Sequence, residues 1–176
     1  MEGKPAMGRI LIEGVPYHVD SAQKYVGHVI GLSDWVRIDQ ARIDAFGLST
    51  DDRNPLHMDP AWCKANSPFG KPIAHGFLTL SLLSHLGTSA ELQPDGVDYG
   101  INSGFERVRF MAPVPVDSHV RLRATLMQCD DKGGGRWLFK SRVAVEVRET
   151  DKVALSAVWI VLFVRGKPDL GAAFEA

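Results

Sequence analysis

The 176 residues are 45% hydrophobic, which is enough apolar material for one well-buried core and little for a second. Twenty basic and 21 acidic residues give a formal net charge of -1, so no basic excess is available to neutralise a nucleic-acid backbone. The apolar run near the N-terminus is shorter than the ~7–15 residues of a signal peptide or the ~20 of a membrane span, so we expect a cytoplasmic protein without a membrane partner.

One domain between two less structured ends is predicted. Residues 1–27 mix glycine, proline and charge without a sustained period, which indicates a partly ordered N-terminal leader. We expect the domain at residues 28–168 and a short C-terminal tail at residues 169–176.

Two short helices and a loop are predicted early in the domain. Asp39 is a capping residue ahead of good helix formers, which indicates a short amphipathic helix. Residues 48–60 concentrate Ser, Asp, Asn and Pro too densely for a helix or a strand, which predicts a loop with specified turns. A second helix is expected to start where Asp59 precedes Pro60.

The segment from Pro72 to Leu86 is predicted to form the long helix of the domain. Leucines recur four residues apart, and further apolar residues lie between them. Because apolar residues cover most of the circumference, we expect this helix to be buried nearly all round.

Three strands are predicted after the helix. Apolar and polar residues alternate over residues 120–126 and 136–148, whereas residues 153–164 are apolar on both faces, as in a central strand. Their connections are short polar turn sequences, so the three strands should form an antiparallel meander. Arg107 and Arg109 alternate with apolar residues, which favours the solvent face of a further strand and leaves contact with an anionic ligand open.

A long buried helix followed by a long-stranded antiparallel sheet defines an α+β domain in which the sheet wraps the helix, an arrangement of the hot-dog type. Such a sheet keeps an open edge and one incompletely covered face, and a second copy of the chain commonly covers both. We therefore expect a homodimer.

An aspartate and a histidine five residues apart are the main candidates for catalysis. Pro55 fixes its own φ and excludes Asn54 from the helical region, so the turn between them can bring Asp52 and His57 to one point. A carboxylate and an imidazole around one water suit acid/base chemistry, in which one group accepts a proton and the other delivers or relays it. On spacing alone, an alternative of about equal weight is that Asp52 caps a turn and His57 packs beside the next helix.

A glycine near the start of the long helix is the second candidate. Gly76 has no side chain to block its N–H, which can bind a carbonyl oxygen as negative charge develops, although close helix-to-sheet packing also explains such a glycine. Beside it, His75 is better explained as a hydrogen-bonded structural group than as a base. No metal site is expected, because the other histidines and the cysteines show no ligand spacing: His18, His28, His85, His119, Cys63 and Cys129.

These segments together resemble the MaoC-type dehydratases, a family that includes (R)-specific enoyl-CoA hydratases, and within it a NodN-like subgroup. The family motif Ser/Thr-Gly-Asp-x-Asn-Pro-x-His stands here as TDDRNPLH at residues 50–57. The downstream stretches IAHGFLTLSLL and YGINSGFERVRFMAPVPVDSHVRLR also resemble their counterparts, so the similarity extends over about residues 30–165.

The resemblance implies a dimeric hot-dog protein that hydrates a trans-2-enoyl-CoA to the 3-hydroxyacyl-CoA with (R) specificity and without a cofactor. It carries the catalytic roles over to Asp52 and His57 and the binding of the thioester oxygen to the N–H of Gly76. It also implies that Asn54 orients the water or holds the loop, of which we favour the second.

One position departs from the family motif. Asp51 stands where the family has glycine directly before the catalytic aspartate. Aspartate tolerates left-handed backbone better than most residues, so the loop is expected to survive, although a second charge lies beside Asp52. Two other functions stay open: a hot-dog acyl-CoA thioesterase, which usually lacks this loop, and a non-catalytic acyl-CoA-binding protein marked by the Asp51 change.

Overall fold

A six-stranded antiparallel sheet organises the chain in a computed structural model, which describes residues 8–166. The sheet order is β1-β4-β5-β6-β3, and β2 pairs with β4 beside β1. The strands are β1 (Val29–Leu32), β2 (Val36–Ile38), β3 (Tyr99–Phe110), β4 (Ser118–Gly133), β5 (Arg136–Val147) and β6 (Lys152–Val164).

The antiparallel meander predicted from the alternating pattern is confirmed by β4, β5 and β6. Buried and partly exposed residues alternate along β4 and β5, so each strand turns one face to the core. Strand β6 lies between β5 and β3, as its two apolar faces predicted. Arg107 and Arg109 are exposed on β3, which pairs with β6 alone among the described strands and forms an edge of the sheet.

Five helices are described besides a 3₁₀ helix at Val19–Tyr25. They are α1 (Gln40–Thr50), α2 (Pro55–Met58), α3 (Pro60–Asn66), α4 (Gly76–Ser81) and α5 (Leu83–Ser89). The expected caps are confirmed: the Asp39 carboxylate accepts from the N–H of Arg42 at 2.9 Å, and that of Asp59 accepts from the N–H of Trp62 at 2.8 Å.

The stretch predicted as loop over residues 48–60 contains more helix than expected. Residues 48–50 complete α1, and α2 adds one turn that starts at Pro55. Asn54 supplies the cap, because its side-chain oxygen accepts from the N–H of Leu56 at 2.9 Å, and proline is well suited to the first helical position. The same polar residues that indicated turns therefore also start a helix.

The long helix starts later than predicted and is less buried. Residues 72–74 are extended, since the N–H of Ala74 donates to the carbonyl of Val114 at 2.8 Å, and the helical run comprises α4 and α5 joined at Leu82. One face packs into the core, but the opposite face is open, and Phe77 is 66% exposed. The prediction of burial all round was wrong because only one face of the run meets the sheet.

The N-terminal segment is part of the core where the structure describes it. Tyr17 and Tyr25 are at most 1% exposed and contact each other edge-to-face. The hydroxyl of Tyr17 donates to the carbonyl of Leu92 at 3.0 Å, and that of Tyr25 donates to the carbonyl of Val15 at 2.6 Å. The predicted domain start at residue 28 therefore cuts through the core. The hydrophobic pattern of the sequence did not reveal the 3₁₀ helix at Val19–Tyr25, because a 3₁₀ helix has no 3.6-residue period. Residues 1–7 and the predicted tail lie outside the described range.

The helical run α4–α5 packs its leucines against the inner face of the sheet, with Leu83 and Leu86 at most 1% exposed. This arrangement is the α+β hot-dog fold that the pattern predicted. Within residues 8–166, no helix combines the length and the apolar character needed to cross a bilayer.

Candidate active site

The loop between α1 and α2 is shaped by two backbone features. Asp51 ends α1 in the left-handed conformation, with φ 58° and ψ 13°, and turns the chain away from the helix axis. Asn54 then starts α2, which carries His57. Asp52 lies between these two turns with a carboxylate that is 54% exposed. The short α2 and the left-handed residue together place Asp52 and His57 on one side of the loop.

Three side chains converge at this loop. Asp52, His57 and His75 each present a carboxylate oxygen or a ring nitrogen, and these atoms all lie within 4.8 Å of one another. The pair predicted from the sequence is thus brought together, and His75 joins it from the start of α4. The carboxylate of Asp52 and the ring of His57 are close enough for one water to bridge them.

His57 has a defined tautomer. Its Nδ1 lies 2.7 Å from the carbonyl oxygen of Ile73, so Nδ1 carries the hydrogen and donates it, and Nε2 keeps a lone pair. Burial lowers the pKa of His57, although the bond to Ile73 and the charge of Asp52 oppose this effect; His75 lowers the pKa further. These effects favour the neutral imidazole with a free acceptor nitrogen, which is the form that a general base needs.

His57 and Gly76 line the same cavity, of about 280 Å³. Gly76 is the first residue of α4, where an N–H has no partner within the helix. A Cβ on Gly76 would lie 3.0–3.2 Å from the ring of Phe110, so close packing against β3 also requires glycine here. The two interpretations of this glycine are therefore compatible. The remaining lining residues are Ile73, Ala74, Thr79, Phe110, Met111, Ala112, Pro113, Val114 and Ala154.

The site depends on neighbours that the sequence did not reveal. The Nε2 of Gln40 donates to the carbonyl of His57 at 2.8 Å, and the buried thiol of Cys63 contacts the carbonyls of Pro55 and Leu56 at 3.3 Å each. These contacts from α1 and α3 hold α2 in place. Asn54 is engaged with the Leu56 N–H, which agrees with a role in holding the loop. No sequence spacing signals these partners, because they come from separate helices.

The same three side chains are the one group in the described part of the chain with donors close enough for a metal ion. Two imidazoles and a carboxylate do match the donors of many divalent-metal sites. Nδ1 of His57, however, is engaged with the carbonyl of Ile73, and the rings of His57 and His75 pack on each other with centroids 3.9 Å apart and planes inclined by 32°. Nε2 of His75 is also engaged with the carbonyl of Asp52. The arrangement suits proton transfer better than metal binding.

A hot-dog fold in which an imidazole and a helix-start glycine line one small cavity, with a carboxylate within 4.8 Å of that imidazole, defines a hydratase- or dehydratase-type protein. Residues 21–151 match the family model described as the MaoC like domain, so the chain belongs to the MaoC-like dehydratase family, whose members are lyase-type enzymes.

Two curated relatives and one solved structure show the similarity. The chain is 40% identical to nodulation protein N of Rhizobium leguminosarum bv. viciae over 137 residues, covering 78% of this chain and 85% of the relative. It is 41% identical to 3-hydroxyacyl-thioester dehydratase Z of Mycobacterium tuberculosis over 138 residues, covering 78% and 90%. The structure of the (R)-hydratase from A. caviae superposes with a TM-score of 0.63 at 26% identity, covering 77% of this chain and 94% of that one.

Proposed function

We propose that this protein catalyses (R)-specific hydration of a trans-2-enoyl-CoA thioester to the 3-hydroxyacyl-CoA, and its reversal. The observation that carries the proposal is the shared cavity of His57 and Gly76, with the Asp52 carboxylate within 4.8 Å of the His57 ring. The names of two similar proteins, a 3-hydroxyacyl-thioester dehydratase and an (R)-hydratase, support the reaction class.

The proposed step uses one water and no cofactor. The water donates one hydrogen bond to Nε2 of His57 and one to the Asp52 carboxylate, and its oxygen attacks C3 and keeps the hydrogen that faces Asp52. The C3–O bond forms as His57 takes the proton, and the C2=C3 electrons move onto the thioester oxygen, where the Gly76 N–H stabilises the negative charge. His57 then returns the proton to C2, which restores the thioester carbonyl and the neutral imidazole.

A larger cavity, of about 400 Å³, suits the acyl chain. It lies between α5 and strands β3, β5 and β6, and its wall combines apolar side chains with polar ones. The apolar ones are Ile30, Leu92, Phe139, Trp159, Val161 and Phe163, and the polar ones are Ser84, Thr88, Glu91, Gln93, Asn102 and Ser141. Gly87 and Trp159 both line it and pack against each other, and the indole N–H of Trp159 donates to Asn102 at 2.9 Å. The apolar part of this wall provides the surface that a hydrocarbon chain requires.

A homodimer in the cytoplasm is part of the proposal. Strand β3 leaves its outer edge unpaired among the described residues, and apolar side chains are exposed beside it: Phe77, Phe105, Phe110 and Met111. Pairing with a second copy would cover both features. Both cysteines are free thiols, which suits a reducing compartment. Light scattering of the purified chain would test the dimer.

Turnover of crotonyl-CoA tests the proposed reaction. We expect loss of the enoyl absorbance, formation of (R)-3-hydroxybutyryl-CoA, and a fall in kcat of about 100-fold or more in Asp52→Asn and His57→Gln. Asp20→Asn and His85→Gln change an exposed carboxylate and an exposed imidazole elsewhere and serve as matched controls.

The other outcomes separate the competing functions. Release of free CoA without a 3-hydroxyacyl product would establish a thioesterase. Thermal stabilisation by acyl-CoA without turnover would establish a binding protein. Activity that survives both site substitutions would exclude the proposed pair.

A further inference from the structure

We infer that His75 is a positioning residue for the proposed hydration: it anchors the main chain of Asp52 and supports the ring of His57, without exchanging a proton itself. This inference rests on the proposed function, since it concerns the same site. It changes the role of His75 from a structural histidine near the site to a group that sets the geometry of both catalytic side chains.

The first contact is with Asp52. His75 is 2% exposed, and its Nε2 lies 2.9 Å from the main-chain oxygen of Asp52. A carbonyl only accepts, so Nε2 carries the hydrogen and donates it. Nε2 also lies 3.9 Å from Oδ2 of Asp52. The peptide held in this way follows the left-handed Asp51, so the bond fixes the chain just where it leaves that turn.

The second contact is with His57. The two imidazole rings have centroids 3.9 Å apart and planes inclined by 32°. The other contact that constrains the His57 ring is the hydrogen bond that its Nδ1 donates to the carbonyl of Ile73. One hydrogen bond alone would leave the ring free to tilt about that bond. The ring of His75 removes this freedom and keeps Nε2 of His57 directed at one place.

His75 is isolated from the water that the reaction uses. Its Nδ1 is buried and has no hydrogen-bond partner among residues 8–166, and Nε2 is engaged with the Asp52 carbonyl. A ring with one nitrogen engaged and the other enclosed has no accessible nitrogen for proton exchange with that water, so its contribution is geometric.

The packing around His75 supports the same role. Phe46 lies against its ring, with centroids 5.1 Å apart. A Cβ on Gly47 would lie 2.9 Å from the Asp52 oxygen and 3.3 Å from Cε1 of His75, so glycine leaves room for the bond between them. Phe46 and Gly47 of α1 thus both face His75, and both keep its ring in place.

Two substitutions separate the two contacts. His75→Gln keeps a donor at the Nε2 position and loses the ring, whereas His75→Phe keeps a ring and loses the donor. Because displacement of reacting groups by about 1 Å costs up to about 100-fold in rate, we expect His75→Phe to lower kcat by about 10- to 100-fold with KM within about threefold. We expect His75→Gln to retain more of kcat than His75→Phe, since the anchored peptide is restored.

A double-mutant cycle distinguishes positioning from general damage to the fold. In an Asp52→Asn background, His75→Phe should lower the residual rate by no more than about threefold, because the group being positioned is already impaired. The control is Leu86→Ala, a core substitution away from the site, which is compared with His75→Phe at an equal loss of melting temperature. The inference is overturned if His75→Phe has wild-type kcat, if its loss is undiminished with Asp52→Asn, or if Leu86→Ala reproduces that loss at equal melting temperature.

A measurement that needs no turnover separates this inference from the proposed function. The ionisable groups nearest His57 are Asp52 and His75, and Asp44 lies behind Gln40. The His75 ring packs on the His57 ring with centroids 3.9 Å apart, so replacing it changes the surroundings of His57, and the NMR titration midpoint of His57 should move in both variants. An unmoved midpoint overturns the inference. A wild-type chain inactive on every enoyl thioester refutes the proposed function instead, while the titration still reports on the contact.

Discussion

The imidazole of His57 donates from Nδ1 to the carbonyl oxygen of Ile73, 16 residues further along the chain, over 2.7 Å. This bond joins the loop that carries Asp52 and His57 to the segment that leads into Gly76. The two halves of the proposed site are therefore linked by the same bond that sets the tautomer of the base. Loss of the bond would free Nδ1 and Nε2 to exchange roles.

The lowered pKa of His57 predicts the pH dependence of activity. Burial moves this pKa below the ordinary 6.5, so the neutral base persists to lower pH. We expect the acid limb of the kcat/KM profile to lie below about pH 6.5. A profile measured with crotonyl-CoA in constant-ionic-strength buffers checks this, and a limb above that value would contradict it.

The same shift predicts how stability varies with pH. Since the folded pKa lies below the unfolded value, the unfolded chain binds the proton first as pH falls. The contribution of His57 to stability is therefore complete above about pH 6.5 and is lost as pH falls through the folded pKa. Melting temperatures of wild type and His57→Gln should converge between about pH 7 and pH 5. A difference that stays constant would argue against the shift.

Asp51→Gly should leave activity within about twofold of wild type. The Asp51 side chain is 90% exposed, so its charge is screened by solvent. Glycine removes the backbone strain at φ 58° but raises the conformational entropy of the unfolded chain, so we expect the free energy of unfolding to change by less than about 1 kcal/mol. Asp51→Val should lower it by about 1–2 kcal/mol. Urea unfolding and the hydration assay measure the two effects. A tenfold gain in kcat for the glycine variant would show that Asp51 impairs the site.

Gly87→Val should shorten the acyl chains that the protein accepts. A Cβ on Gly87 would lie 3.0 Å from the ring of Trp159, so valine requires the indole to move, and an indole moved into the cavity reduces the room for an acyl chain. Each methylene that is excluded should cost about 0.8 kcal/mol, or about fourfold in kcat/KM. Kinetics on four-, six- and eight-carbon enoyl-CoA substrates test this. An equal loss at every length would place the acyl chain elsewhere.

Tyr25→Ala should destabilise the protein by about 3–5 kcal/mol, because the ring is fully buried in the core. Tyr25→Phe keeps the ring and leaves the carbonyl of Val15 without its donor, so we expect about 1–1.5 kcal/mol. A chain that begins at residue 28 lacks this ring and should fail to fold. Urea denaturation followed by tryptophan fluorescence measures all three, and a folded truncated chain would show that the segment is dispensable.

The strands and helix caps were the most predictable features of the fold. The alternation in β4 and β5 and the double-sided apolar pattern of β6 predicted the meander, because a strand turns alternate residues to opposite faces. The carboxylates of Asp39 and Asp59 marked two helix starts for an equally local reason. The long helix was predicted, but its start was placed too early. Residues 72–74 pair with residues 114–115, and a contact between segments so far apart in the chain leaves no local sequence pattern.

At the site, the sequence by itself determined the turn between Asp52 and His57, because Asn54 and Pro55 restrict the backbone locally, and from that turn it predicted the pair. Only the tertiary structure decided the tautomer of His57, the cavity it shares with Gly76 and the contacts of His75 with Asp52 and His57. Those relationships join α1, α2 and the start of α4, and no periodicity within one segment encodes a contact between separate segments. The buried tyrosines of the N-terminal segment follow the same rule, since the partners that bury them lie elsewhere in the chain.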